Sequence, residues 1–411
     1  MRVTLRIGLV LVLAVTAVAA PAAAQTVDDL FDASTVQDLR LLMNSRDWQE
    51  LKATFRENTF YPAEFTWRGL RQQNIGVRSR GLGSRSDVKP GLLLRFDRYA
   101  TDGRFLGLRT LVLDNLTQDP SMMKEVLAMQ LFRRLDLPAP REAFVRLYVN
   151  GALLGLYAVV EDIAEPFVQR TFGESGGTLY EYDWTFEYNF EYRGSTLENY
   201  AMFKPQTNTT QSTFDLYSPI ERMVRAASDS SDELFPSAMA EFLDLQAFAR
   251  YIAMDNFISD DDGWLGFWGM NNLFLYRNQG GARFNIIAWD KDYTFWRPTN
   301  DIFTRVDNSV LARRALAIPD VRQAYLDTLA AAADSAAEGQ EGPDASTGWL
   351  AREVERLYAL IQPLAQQDTN KPFTDEEFEA GVGGLRTFAA QRSAYVRCAV
   401  ANQSRTPVAC N

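Results

Sequence analysis

Asn271-Asn272-Leu273-Phe274-Leu275-Tyr276 and Phe284-Asn285-Ile286-Ile287-Ala288-Trp289-Asp290-Lys291-Asp292 are the stretch on which the reading of this chain turns. Two short apolar runs on either side of Gly280-Gly281 predict a hairpin. Its second strand ends in two carboxylates, Asp290 and Asp292, separated by a lysine. A strand that delivers acids at its tip is a common holder of a divalent cation, because hard cations such as Mg²⁺ take one or two carboxylates plus substrate phosphates. Asn272, near the start of the partner strand, adds an amide oxygen. The same residues also read as a solvated turn beside a buried tryptophan, and spacing alone leaves both readings open.

Composition narrows the chemistry. Histidine is absent from the 411 residues, which excludes Ser-His-Asp and Cys-His catalysis, phosphohistidine chemistry and imidazole zinc sites. Carboxylates, Lys, Arg, hydroxyl groups and an oxygen-bound metal remain. Residues 1–24 read as a signal peptide: Arg2 and Arg6, an apolar run from Ile7 to Ala20, then Ala22-Ala23-Ala24 before Gln25. A secreted or periplasmic location is the expectation, with no stable membrane insertion once the signal is removed. Loss of the two arginines takes the formal charge from −11 to −13. That balance argues against nucleic acid and against anionic membranes. Cys398 and Cys410, in an exported chain, read as one disulfide pinning the tail.

Along the chain, Ser34 to Trp67 reads as a helix-like segment followed by an extended one. Asn74 to Phe96 reads as two strands around a Gly/Ser-rich turn, and Leu108 to Leu113 as another. Asp119-Pro120 is expected to open a helix, with Asp119 as cap. Phe144 to Val160 is a hairpin, its Asn150-Gly151 supplying the two positive-φ residues of a type I′ turn. Tyr180 to Tyr192 alternates aromatic and polar residues. Helical patterns at Val321–Ala337, Thr347–Gln366 and Thr374–Ala399 close the chain.

These pieces, taken in order, resemble the spore coat protein H (CotH) kinase family. The resemblance is carried by Arg80-Gly81-Leu82-Gly83-Ser84-Arg85 with Lys89, Asp119-Pro120-Ser121-Met122, Tyr148-Val149-Asn150-Gly151 with Gly155-Leu156-Tyr157 and Glu161, Phe242 to Phe248, Asp262-Gly263, the Asn271 hairpin and Trp289-Asp290-Lys291-Asp292. It implies an α+β, atypical protein-kinase-like fold of two lobes with a helical C-terminal part. The expected layout is a signal peptide at 1–24, an N-terminal extension at 25–74, a kinase domain at 75–399 divided near 163/164 into small and large lobes, and a tail at 400–411.

The implied activity is transfer of phosphate from ATP, with Mg²⁺ or Mn²⁺, to Ser or Thr hydroxyls of a protein. Phosphoryl transfer needs phosphates held by backbone amides and a cation, a metal, and a carboxylate that orients the acceptor. Gly81, Gly83 and Ser84 give a turn whose amides can approach phosphate, with Arg80 and Arg85 beside it. The resemblance places Lys89 on the ATP phosphates, Glu161 at the hinge that meets adenine, Asp262 as catalytic base, and Asn272, Asp290 and Asp292 on the metal. Glu125 is a candidate partner for the lysine, or an exposed helix glutamate. The extra segment Leu265–Gly269 departs from the family spacing and leaves Asp260, Asp261 and Asp262 competing for the acceptor. A surface or assembly protein that only binds, and an adenylyl- or small-molecule phosphotransferase, are the alternatives.

Overall fold

The computed structural model describes residues 25–342, 344–402 and 410. The expected signal peptide and most of the 400–411 tail lie outside the described residues. Seven strands close into a barrel: β1 (Gln37–Met43), β2 (Tyr61–Trp67), β3 (Leu70–Arg80), β4 (Gly91–Arg95), β5 (Thr110–Asp114), β6 (Glu142–Val149) and β7 (Ala152–Val160). Their order around the barrel is β1-β2-β3-β4-β5-β7-β6. All neighbours are antiparallel except β1 and β6, which run parallel with Leu39 opposite Leu147. Alternate residues point inward, as the two-residue period of a strand requires. Leu39, Phe65, Trp67, Val77, Leu92, Leu94, Leu113, Val145 and Val159 fill the interior.

Two expectations are corrected here. Residues 25–74 are not an appendage to the small lobe, because β1, β2 and the first half of β3 supply barrel strands. Without them β3 and β6 would present open edges, which closure removes. The stretch Ser34–Trp67 also begins as a strand, with its helix at Ser45–Ala53.

The Asn150-Gly151 turn has φ 52° and 84°, as expected for a type I′ turn. The helix after Asp119 starts later than the sequence suggests, at Lys124. Its N-cap is Met123 and not Asp119, but the Asp119 carboxylate still reaches the entry to the helix, accepting from Ser121 N, Met123 N and Lys124 N at 2.8–2.9 Å. The intervening residues form a turn in which Met122 takes φ 57°.

The second sheet has the order β11-β10-β8-β9, with β8 (Thr178–Tyr182), β9 (Phe203–Pro205), β10 (Leu273–Arg277) and β11 (Phe284–Ala288). β10 and β11 form the expected hairpin, pairing Leu273 with Ala288. Helices surround it: Leu245–Phe257, Pro319–Ala336, Trp349–Gln367 and Asp375–Asn402. The last three match the helical patterns of the sequence, and Cys398 is joined to Cys410. The chain is thus α+β with two hydrophobic cores, one inside the barrel and a larger one around the second sheet.

Fully buried Arg392 ties this part together. Its guanidinium donates to the carbonyls of Asn256 and Phe257, at the end of the Leu245–Phe257 helix, and of Pro298 and Asn300. These helix-end carbonyls thereby gain a donor from a distant element.

Candidate active site

A cleft of about 520 Å³ opens between the barrel and the second sheet. One wall is the end of β3 and the loop after it, with Arg78, Arg80, Gly81, Gly83, Ser84 and Arg85. The opposite wall carries Asp262, Asn271, Asn272, Asp290 and Asp292. Eight of the residues singled out in the sequence therefore face one space: Arg80, Gly81, Gly83, Ser84, Asp262, Asn272, Asp290 and Asp292. Arg85, the further phosphate candidate, joins them.

The loop wall is built for close approach. Gly81 sits at φ 104°, where a Cβ would meet Ser84 Oγ. Asn115 Nδ2 donates to Ser84 O and Lys89 O, both at 2.8 Å, fixing the two ends of the loop. Arg85 Nε donates to Gly81 O at 2.7 Å. Arg78 is pushed down to about 10 by burial and then by its neighbours Arg85 and Arg80. Burial and Arg80 lower Arg85 as well. Among the described residues neither Arg78 nor Arg85 has a carboxylate at ion-pair distance, whereas Arg80 has Asp114 at 3.7 Å.

The acid wall mirrors this. Asp290 is pushed up to about 7 by burial and then by Asp114. Asp292 is raised by burial and by Asp290. Behind them Glu125 is raised by burial and by Glu142, and Glu142 is pushed up to about 8 by burial. Both Glu142 oxygens are buried, and the side chain within hydrogen-bonding reach of them is another carboxyl, that of Glu125. Glu125 is therefore not an exposed helix glutamate; it is buried, and its neighbour is an acid, not Lys89. Asn272 and Asp290 both hold left-handed backbone, φ 53° and 50°. Such conformations in non-glycine residues concentrate at functional sites.

The three consecutive aspartates are separated by their partners. Asp260 is buried and accepts from Lys291 Nζ at 2.7 Å. Asp261 takes Arg297 and Arg305. Asp262 faces the cleft, where Asn271 Nδ2 lies 3.1 and 3.2 Å from its two oxygens and Asn272 Nδ2 2.9 Å from Oδ2. Burial raises its pKa. The long spacing between Asp262 and Asn272 is absorbed by Leu265–Gly269, which loops out while Asn271 N returns to Gly263 O at 3.0 Å. Asp255 accepts from Trp264 N at 3.0 Å and pairs with Lys291 at 3.3 Å, and it does not line the cleft.

Two expected residues are elsewhere. Lys89 is completely buried and lies 2.7 Å from Asp368, under the Tyr157 ring, instead of on the loop wall. Pro90 follows it and its carbonyl accepts from the Tyr157 hydroxyl, which turns this part of the chain toward the barrel core. Glu161 is also buried. Its carboxylate is taken by Arg141 and Arg170, and its N–H by Arg141 O, so neither meets the cleft.

Asp162 does face a cavity. This second space, about 400 Å³, shares Arg78, Arg80, Glu181 and Trp289 with the first and is lined by Leu93, Val112, Ile163, Leu179 and Phe274. The sequence reading also missed Arg78, Asp114 and Glu142. Arg78 had a signal, since it stands two residues before Arg80 on one strand and so shares its face. Glu142 had none, because strand spacing does not show which strand end abuts another acid.

Among the described residues no three acidic side chains converge closely enough to enclose a metal ion by themselves. The donor set is nonetheless all oxygen, and among the described residues none of Asp262, Asp290 and Asp292 has a lysine or arginine at ion-pair distance, although Arg80, Lys291 and Lys124 act on them from further off. That combination fits a hard cation of the Mg²⁺ type, which keeps waters and shares itself with phosphates.

A barrel lobe stacked on a helical lobe, with a basic loop facing acids across the cleft, is a kinase-like arrangement. The chain belongs to the CotH kinase protein family, whose model matches residues 77–396. It is 22% identical to inner spore coat protein H of Bacillus subtilis over 367 residues, covering 87% of this chain and 96% of that protein. It is also similar to two invasins of Rhizopus delemar. CotH2 is 24% identical over 193 residues and CotH3 23% over 191, and the match spans 31% of each.

Proposed function

We propose that this protein is an exported kinase that transfers the γ-phosphate of ATP to Ser or Thr hydroxyls of a protein, with Mg²⁺ or Mn²⁺. The observation that carries the reading is the opposition, across one cleft, of under-compensated arginines and under-compensated carboxylates. A polyphosphate and a divalent cation together neutralise both walls; neither alone does.

The adjoining cavity supports a site for the adenine. Leu93, Val112, Ile163, Leu179 and Phe274 supply flat apolar contact, and Asp162 stands at its polar edge. Arg78, Arg80 and the amides around Gly81 to Ser84 hold the phosphates. Asp290 and Asp292, with Asn272 Oδ1, would hold the metal, which when bound would neutralise charge building on the phosphates. Asp262 accepts a hydrogen bond from the acceptor hydroxyl and takes its proton as the new oxygen–phosphorus bond forms, while the bond from the γ-phosphorus to the bridging oxygen breaks and ADP leaves with that electron pair. The raised pKa of Asp262 suits it to that exchange. The two asparagine amides keep its carboxylate aimed into the cleft.

The test is calorimetry of the mature protein with ATP, with and without Mg²⁺ or Mn²⁺, followed by intact-mass analysis after incubation with a Ser-rich acceptor. Metal-dependent binding, its loss in Asp290→Asn, and a gain of one phosphate mass support the reading. A nucleotide-monophosphate mass shift points to adenylyl transfer. Tight ATP binding with no protein modified points to a small-molecule acceptor, and no nucleotide binding points to a binding or assembly protein.

A further inference from the structure

The excursion Leu265-Gly266-Phe267-Trp268-Gly269, which interrupts the site between Gly263 and the asparagines, has no task in the chemistry above. It is an ordered turn. Phe267 N donates to Asp261 O at 2.7 Å, Gly266 N to Gly263 O at 3.1 Å and Met270 N to Tyr188 O at 2.8 Å. Gly269, at φ 85°, passes so close to the Tyr188 backbone that a Cβ there would collide with it. The turn holds two rings out toward solvent, Phe267 at 65% and Trp268 at 51% exposure, in a T-shaped pair 5.3 Å apart. Trp268 lines the same cavity as Asp262, and its carbonyl accepts the indole N–H of Trp184 at 3.0 Å. Exposed rings on a fixed turn beside a cleft are apolar surface left for a partner.

The surrounding charges sort the occupant. Asp262, Asp290 and Asp292 disfavour an acidic side chain at the mouth. Arg305 stands 5.7 Å from the centre of the Phe267 ring. It shares Asp261 with Arg297, so two guanidiniums sit on one carboxylate. Over the Phe267 ring, where Arg305 already stands, this local excess of positive charge disfavours a further Lys or Arg. A neutral, flat apolar group is the remaining fit, and offset or edge-to-face contact with a third ring suits the geometry of the pair.

We propose that Phe267 and Trp268 form an acceptor subsite that selects protein substrates with an aromatic side chain close to the hydroxyl to be phosphorylated. The inference rests on the kinase reading of the cleft. One apolar subsite of this kind discriminates by roughly tenfold or more.

The experiment compares Ser-centred peptides that differ only in carrying Phe, Ala, Lys or Glu beside the serine, using the full mature chain and Mg-ATP. Nucleotide binding is followed in parallel by calorimetry. The Phe peptide is expected to exceed the Ala peptide in kcat/KM by roughly tenfold, chiefly through KM. The preference should vanish in the Phe267→Ser/Trp268→Ser double variant, with the melting temperature kept, and survive in Trp268→Phe. Equal use of Phe and Ala peptides, a preference for Lys or Glu, or a Phe preference retained by the double variant overturns the subsite and leaves the kinase reading standing. A parent that binds no nucleotide and modifies no peptide overturns both.

Discussion

Lys89 Nζ and Asp368 Oδ2 lie 2.7 Å apart, both side chains about 1% exposed, where the barrel meets the end of the Trp349–Gln367 helix. Asp368 also accepts from Leu156 N on β7 at 3.0 Å, so one carboxylate fastens two parts of the barrel to the helical lobe. Breaking a buried pair by removing one partner costs about 3–5 kcal/mol, because the other charge stays buried. Lys89→Met should therefore lose stability of that order in urea unfolding. Lys89→Met/Asp368→Asn should recover most of it, since the amide still accepts from Leu156. ATP affinity of folded Lys89→Met should stay near that of the parent; a selective loss of phosphate binding would return Lys89 to the site.

Arg78→Ala and Arg80→Ala should weaken nucleotides in proportion to their phosphates. A hydrogen bond to a charged group contributes about 1.5–3 kcal/mol, so ATP should lose on the order of tenfold to a hundredfold. Adenosine should be almost unaffected. Calorimetry with ATP, ADP and adenosine separates this from a general loosening of the cleft.

Asp262→Asn should keep Mg-ATP binding and lose transfer by roughly 10²–10⁴-fold, as for a positioned acid–base group. Asp260→Asn should act differently. It weakens the partner of buried Lys291 and should appear first as a lower melting temperature. Labelled-phosphate incorporation and thermal unfolding, measured together, distinguish the two.

Glu142 gives the metal-free protein a pH dependence of definite sign. In the folded state it keeps its proton to about pH 8, against an ordinary value of 4.5. Between those values the folded state binds more protons than the unfolded one, so its contribution to stability falls as pH rises. The loss is complete above about pH 8. Glu142→Gln removes the ionisation. It should raise the melting temperature by a few degrees at pH 9, do little at pH 5, and flatten the profile between.

Much of the site was legible in the sequence because strand tips and tight turns fix direction locally. Asp290 and Asp292 follow a paired apolar strand, and Gly81 begins a turn that only a glycine accommodates easily, so their shared cleft follows from short-range rules. Asp262 stood out less, because its distinction from Asp260 and Asp261 depends on Lys291, Arg297 and Arg305, which approach from later in the chain. Lys89 and Glu161 were misplaced for the same reason. Their partners, Asp368 in one case and Arg141 with Arg170 in the other, lie on separate elements, and no spacing announces them. Of the N-terminal strands, β1 was hidden because Gln37–Met43 finds its parallel neighbour only in β6, a pairing across more than a hundred residues that periodicity does not register.

The guanidinium of Arg392 has a consequence in time. It belongs to a helix synthesised after every residue of the cleft, yet it holds the carbonyls of Asn256 and Phe257, from which the chain turns into Asp260 to Asp262. A nascent chain that has emerged only as far as Asp292 carries all the acids and arginines of the site without the clasp that sets their loop. The stretch that leads into the three aspartates therefore gains its last fixed contact only when the Asp375–Asn402 helix docks.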